Sequence, residues 1–315
     1  MLFNRYLWAV ITRKNMFLKG IYAGKSALFQ LYILLLFVLG GLVLATLIGT
    51  LPMLLWQSTT GANAGFAYNP NAMRILQFIS AVGTFLLPAS ACAWLYSNQP
   101  KSYLSIGSFP TLEVLSLTFL SVLLINPTIS LTGLLNQQME LPAFMEGIEH
   151  WMSAQEDEAE RVTLLLLSEK GIGALFANLF VVALTAGITE EFFFRGALQR
   201  ILGRWSSNPH LVIWITACIF SAFHIQFYGF LPRMLLGAYF GYLLYWSHNI
   251  WIPVFAHFTN NALAVICMSD EQLKQNEFVT GEITPPNLLP YILMAVIGLA
   301  LFYFCGKRLK ELTNG

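Results

Sequence analysis

Residues 189–196 read Thr189-Glu190-Glu191-Phe192-Phe193-Phe194-Arg195-Gly196, two adjacent carboxylates and a guanidinium inside an apolar run. Ionisable groups at membrane depth are costly, about 3 kcal/mol for a central Asp, Lys or Arg on insertion scales, so their presence demands a reason. On a helix Glu191 and Arg195 stand four residues apart and can pair. Glu190 is turned by about 100° from Glu191 and faces elsewhere. The spacing therefore predicts one carboxylate held structurally and one left for chemistry.

Two more apolar runs carry polar groups. The first holds Phe220-Ser221-Ala222-Phe223-His224, with Phe220 and His224 on one face. The second holds His257-Phe258-Thr259-Asn260-Asn261, with His257 and Asn261 pointing into one space and Asn260 elsewhere. Each feature alone has a structural explanation, as an ion pair or as interhelical glue. Three converging faces would instead make a polar chamber. A glutamate beside a histidine can activate a water as general base. A second histidine and an asparagine amide can donate to a developing oxyanion. That assembly would hydrolyse an amide, and no Ser or Cys is paired with it as a covalent nucleophile. Two histidines with glutamates can also hold a divalent metal such as zinc with an open water position. The HExxH signature is absent. The residues leave open whether the metal status is metal-free or metal-assisted, and no residue is singled out for an organic cofactor.

The elements that must position these groups follow from composition. Of 315 residues, 57% are hydrophobic and 10% charged, and mean hydropathy is +0.63. A soluble domain carries about 25% charged residues. The balance excludes a soluble globular protein, a disordered one and a nucleic-acid binder, and it makes the lipid bilayer the first partner. Eight continuous apolar runs, at 30–56, 75–96, 112–134, 173–200, 211–227, 230–247, 252–268 and 288–305, predict an all-α polytopic membrane bundle. The sequence divides into a basic interfacial segment, 1–29, and one transmembrane domain, 30–315, with a motif-bearing core at 173–268 and an outer loop at 135–172. Cys92, Cys218, Cys267 and Cys305 all fall in apolar runs, so small buried hydrophobes are expected.

Basic residues set the orientation. Arg5, Arg13, Lys14, Lys19, Lys25, Lys101, Arg195, Arg200, Arg204, Lys307, Arg308 and Lys310 fall on one side of an eight-span arrangement. Arg74, Arg161, Lys170, Lys274 and Arg233 fall on the other, Arg233 either snorkelling outward or lining the chamber. Both termini are expected in the cytoplasm, in a multi-pass protein of the cell membrane that fits a bacterial inner membrane. Within the outer loop, Leu141, Phe144, Met145, Ile148, Trp151 and Met152 recur at helical spacing and predict an amphipathic helix on the membrane surface, with a lid as the alternative. His150, His210 and His248 are expected to face solvent or the interface.

The three motifs together resemble the CPBP family. That name covers type II CAAX prenyl endopeptidases and bacteriocin-processing or self-immunity proteins, also called Abi. Glu190 to Arg195 resembles its EExxxR motif, Phe220 to His224 its FxxxH motif, and His257 to Asn261 its HxxxN motif. The segment Trp251-Ile252-Pro253-Val254-Phe255-Ala256 also resembles the approach to the last motif. The likeness covers roughly 180–265. It implies an eight-helix intramembrane endopeptidase, sometimes labelled a metalloprotease, acting on membrane-associated peptides or proteins. By its mapping Glu190 is the base and His224 stands beside it. Glu191 and Arg195 support the base, His257 and Asn261 stabilise the oxyanion, and Phe220 shapes the pocket. The alternatives are a non-proteolytic immunity or scaffold protein that binds peptides, and a transporter using the glutamates as ion sites. Substrate, cut site and oligomeric state are not set by the residues.

A convergent site has a geometric difficulty. His224 lies about 14 residues, or ~21 Å, into its run, and His257 about 5 residues, or ~8 Å. The fifth run must then tilt or start low, and the turn at 226–229 must stay below the outer surface. The chamber is expected to be closed outside and open to the cytoplasm or to lipid.

Overall fold

The computed structural model describes residues 18–60 and 69–313. These form helices and no strand. They are α1 (Ala27–Thr60), α2 (Pro70–Tyr96), α3 (Leu112–Gln137), α4 (Glu146–Leu166), α5 (Ile172–Gly203), α6 (Pro209–Ala222), α7 (Phe230–Ser247), α8 (Trp251–Ser269) and α9 (Leu288–Thr313). Six helices are long and apolar enough to cross a membrane, namely α1, α2, α3, α5, α8 and the stretch ending in α9. The two other apolar helices are shorter, 14 residues in α6 and 18 in α7. The fold is thus a polytopic helical membrane bundle.

Local chemistry sets the helix boundaries. Asn69 and Asn208 each accept two backbone N–H groups at the starts of α2 and α6, and Pro70 and Pro209 supply the preset first turn. Pro88 has no N–H for the carbonyl of Thr84, and α2 answers with a π-helical turn over Val82–Leu86. Two further π turns interrupt α5, at Leu179–Thr185 and Phe192–Leu198, on either side of the glutamate pair. The apolar periodicity gives no sign of them.

The helix ends sort into two groups. At one end Arg204 donates to Lys25 O, Arg200 to Tyr103 O, Asn249 to Ser108 O, and Arg308 to Glu113. At the other end Arg74 pairs with Glu169, Lys170 with Glu271, and Asn136 donates to Phe227 O. Most basic residues collect at the first end, the pattern that the charge distribution predicts.

Burial separates the helices by role. Only 17% of the apolar window of α1 or α9 is buried, against 39% in α5 and 44% in α8. The motif-bearing helices are central, and α1 and α9 turn rows of Leu, Ile and Phe outward as a lipid-facing belt. Of the cysteines only Cys92 is buried; Cys218 is exposed and the other two are half-buried, because they face lipid rather than the interior. The expected interfacial segment 1–29 is described only from residue 18, with 1–17 outside the described residues. Its visible part is tied to the end of α2 by Gly20 N–H to Trp94 O and Tyr22 N–H to Leu95 O.

Candidate active site

The site is built in two layers, and the first is fully packed. Glu191 and Arg195 are completely buried and pair at 2.8 Å, four residues apart on α5. Glu191 Oε1 also accepts from His257 Nδ1 at 2.8 Å, which fixes the proton on that ring nitrogen and leaves Nε2 free. Arg195 Nη2 donates to Gly237 O on α7 at 2.8 Å. The guanidinium lies 4.5 Å from the Phe220 ring centre and 5.4 Å from that of Phe240. Phe240 also stacks on His257, centroids 5.1 Å apart and 20° between planes. This aromatic box exchanges lost water for π faces around the cation. Gly237 is what lets α7 approach: a Cβ there would lie 2.9 Å from Phe220 Cδ1.

The second layer is a chamber of about 440 Å³, lined by Glu190, His224, Arg233, His257, Asn260 and Asn261 among others. Glu190 Oε2 has no hydrogen-bond partner. His224 Nε2 and His257 Nε2 each stand 3.9 Å from it. His224 Nδ1 donates to Phe220 O at 2.9 Å, so its Nε2 is also bare. Three acceptors therefore face one another, too far apart for direct contact and with no donor between them. A water molecule, with two hydrogens and two lone pairs, is the simplest group that satisfies such a set.

The difference in helix depth is resolved by shortening. The fifth run ends its helix at Ala222, not at 227, and His224 sits in the turn that follows, with Ile225 at φ 55°. A β-branched residue rarely adopts that left-handed conformation, so the turn is strained beside the site. The missing depth is filled from above by α4. Trp151 packs on Phe227, ring centres 5.7 Å apart, and Thr163 reaches the chamber wall. Ile148 at the start of α4 and Phe144 just before it are exposed, as on a surface helix, and Thr163 near its end lines the chamber.

One expectation is corrected. Asn260 does not face away: it lines the chamber, and its Nδ2 donates to Asn261 Oδ1 at 3.2 Å. Asn261 in turn donates to Val182 O at 3.1 Å. Each amide nitrogen keeps a second hydrogen, so two adjacent donors are present where the spacing predicts one. The chamber lies toward the α4 end of the bundle. Its wall runs from Glu190 to Thr163, Gly229 and Arg233 at the α4 end, while Arg195, Phe220 and Phe240 fill the basic side. Phe240 is not legible beforehand because one phenylalanine among 25 carries no signal in sequence. Arg233 is ambiguous in sequence, and the structure puts it on the chamber wall. His150 and His210 are exposed and stand outside the chamber, as does His248, which lines a separate cavity at the basic end.

A zinc centre with bonds of about 2.0–2.2 Å needs ligand atoms about 3.4 Å apart. The histidine-to-glutamate separations are wider than that. Among the described residues no group of three or more His, Cys, Asp or Glu side chains is arranged to hold a metal ion. The residues as placed do not fit a metal site.

Residues 172–263 match a family model described as Type II CAAX prenyl endopeptidase Rce1-like. No curated protein and no solved structure matches the sequence. The matched segment runs from the start of α5 into α8 and contains Glu190, Glu191, Arg195, His224, His257 and Asn261. That segment is similar to the Rce1-like type II CAAX prenyl endopeptidases.

Proposed function

We propose that the protein is an intramembrane endopeptidase that hydrolyses peptide bonds of membrane-associated peptides or proteins with a water activated by Glu190. One observation carries this reading: the unpartnered Glu190 Oε2 with two bare imidazole nitrogens 3.9 Å away, a gap one water wide. Glu190 takes a proton from that water as its oxygen attacks the scissile carbonyl carbon. The carbonyl oxygen becomes an oxyanion, which the spare amide hydrogens of Asn260 and Asn261 can meet. When His257 Nε2 also carries a proton it donates there too, with Nδ1–H held by Glu191. Collapse of the tetrahedral intermediate breaks the C–N bond, and Glu190 returns its proton to the leaving amine. Glu191 and Arg195 touch no reacting atom and act by positioning.

The basic end of the bundle we place on the cytoplasmic side of the membrane, on the strength of the charge asymmetry. The test is terminal-peptide mass spectrometry of membranes carrying wild type or Glu190→Gln at matched abundance. Fragments that vanish in the variant establish a glutamate-dependent protease and name its substrates. An unchanged pattern, with the variant folded, favours a non-proteolytic peptide-binding role.

A further inference from the structure

Arg233 stands on the chamber wall, in the first turn of α7, and the chemistry above makes no use of it. Its Nη2 donates to Gln226 Oε1 at 2.7 Å and its Nη1 to Gln226 O at 3.3 Å. Among the described residues no carboxylate lies within ion-pair distance of it, and Nε makes no hydrogen bond. The opposite charges that act on it are those of Glu156 on α4 and of Glu190. Glu156 does not bond the guanidinium: its Oε2 is buried without a hydrogen-bond partner. Gly229 provides the room, since a Cβ there would lie 3.1 Å from Arg233 Nη2.

A guanidinium with free donors, in a cavity walled by Pro232, Leu236 and Phe240, is a binding group for a planar anion, and a carboxylate matches its fork. We infer that Arg233 docks a carboxylate of the substrate peptide at the α4 end of the chamber, which orients the scissile bond toward Glu190. The inference rests on the reading of the chamber as a peptide site. Polarity supports it: Glu190 repels a carboxylate from the reacting end while Arg233 attracts it to the other. The carboxylate has two sources, the C-terminus of the peptide or an Asp or Glu side group within it.

The test uses full-length Glu190→Gln protein in nanodiscs, where bound peptide is not consumed. Three mass-encoded pools of apolar octapeptides are offered: free C-terminal acids, C-terminal amides, and amides containing one Glu. Enrichment of one carboxylate pool over the plain amides by about tenfold or more is expected, and the pool enriched identifies the source. Arg233→Gln should abolish the enrichment and Arg233→Lys should retain part of it. Gly229→Ala, which crowds the guanidinium without removing it, should weaken it. Equal capture of all three pools, or enrichment that survives Arg233→Gln, overturns the inference. Capture of no pool overturns it together with the peptide-site reading. Cleavage of the same pools by wild type and not by Glu190→Gln reports on the protease reading separately.

Discussion

Glu190 and Glu191 are sequence neighbours in contrasting surroundings. Around Glu191 one oxygen meets both Arg195 and His257 at 2.8 Å, and the pair is sealed by phenyl rings. Around Glu190 the nearest polar groups stand back at 3.9 Å, and its side chain is 15% exposed to the chamber. The first arrangement fixes geometry and leaves no room for a reactant. The second leaves a water-sized gap among groups whose orientation the first has set. His257 belongs to both, with Nδ1 held in the locked layer and Nε2 presented to the open one. Positioning and reactivity are thus divided between adjacent residues on one helix.

The most direct way to break the comparison is to neutralise each glutamate. Glu190→Gln should lower cleavage by roughly 10²–10⁴, the usual worth of a general base. It should leave thermal unfolding close to wild type, because the lost carboxylate had no partner. Glu191→Gln should do the reverse in stability, costing about 3–5 kcal/mol by stranding the buried Arg195. Peptide cleavage and thermal unfolding in the same nanodiscs check both. Equal destabilisation by the two variants would erase the distinction between the layers.

A second variant sharpens the locked layer. Adding Arg195→Met to Glu191→Gln removes the stranded charge, and recovery of about 1–3 kcal/mol of the loss is expected by the energetics of buried pairs. Activity should stay low, since His257 loses the group that holds its Nδ1. Full recovery of activity would show that the ion pair does not position the ring.

The glutamate pair, its split into held and free carboxylates, and the two histidines can all be read from spacing, because an i,i+4 relation survives any helix that remains helical. What cannot be read depends on where helices stop and cross. His224 reaches Glu190 only because α6 ends at Ala222, and hydropathy runs on smoothly to Ile225. Asn260 is turned the wrong way by spacing alone because an ideal helix places adjacent residues about 100° apart, whereas a chamber bounded by α5, α7 and α8 is wide enough to include both asparagines. Phe240 and Val182 enter through tertiary contact alone. The role of α4 is half visible: its apolar stripe reads as a membrane face, but the contact of Trp151 with Phe227 requires knowing that the turn lies low.

Gly237→Ala perturbs the seam between layers more mildly. The new methyl would press on Phe220 and sit 3.3 Å from Arg195 Nη2. Overpacking of this kind costs about 1–3 kcal/mol. Because Phe220 carries the carbonyl that holds His224, a fall in activity beyond the loss of folded protein is expected, measured as kcat per folded molecule. Loss of stability with unchanged kcat would show that the aromatic box supports the fold and not the open layer.

The smallest effect concerns the cover of the open layer. Burial pushes the Glu156 carboxyl above its ordinary value, Arg233 and the Tyr228 N–H pull it down, and Asp157 and Glu160 push it up again. The net direction is upward. A carboxyl raised in the folded state adds stability that is fully present below its unfolded value, about 4.3 for Glu. That contribution is lost as pH rises through the folded value. The hold of α4 on the turn at 224–229 should therefore loosen as pH climbs from there, and the local opening equilibrium should rise with it. Amide hydrogen exchange across 224–229, corrected for its intrinsic pH dependence, reads this directly. Glu156→Gln, neutral at every pH, should flatten the profile, and a profile that the variant leaves unchanged would place the pH response on another group.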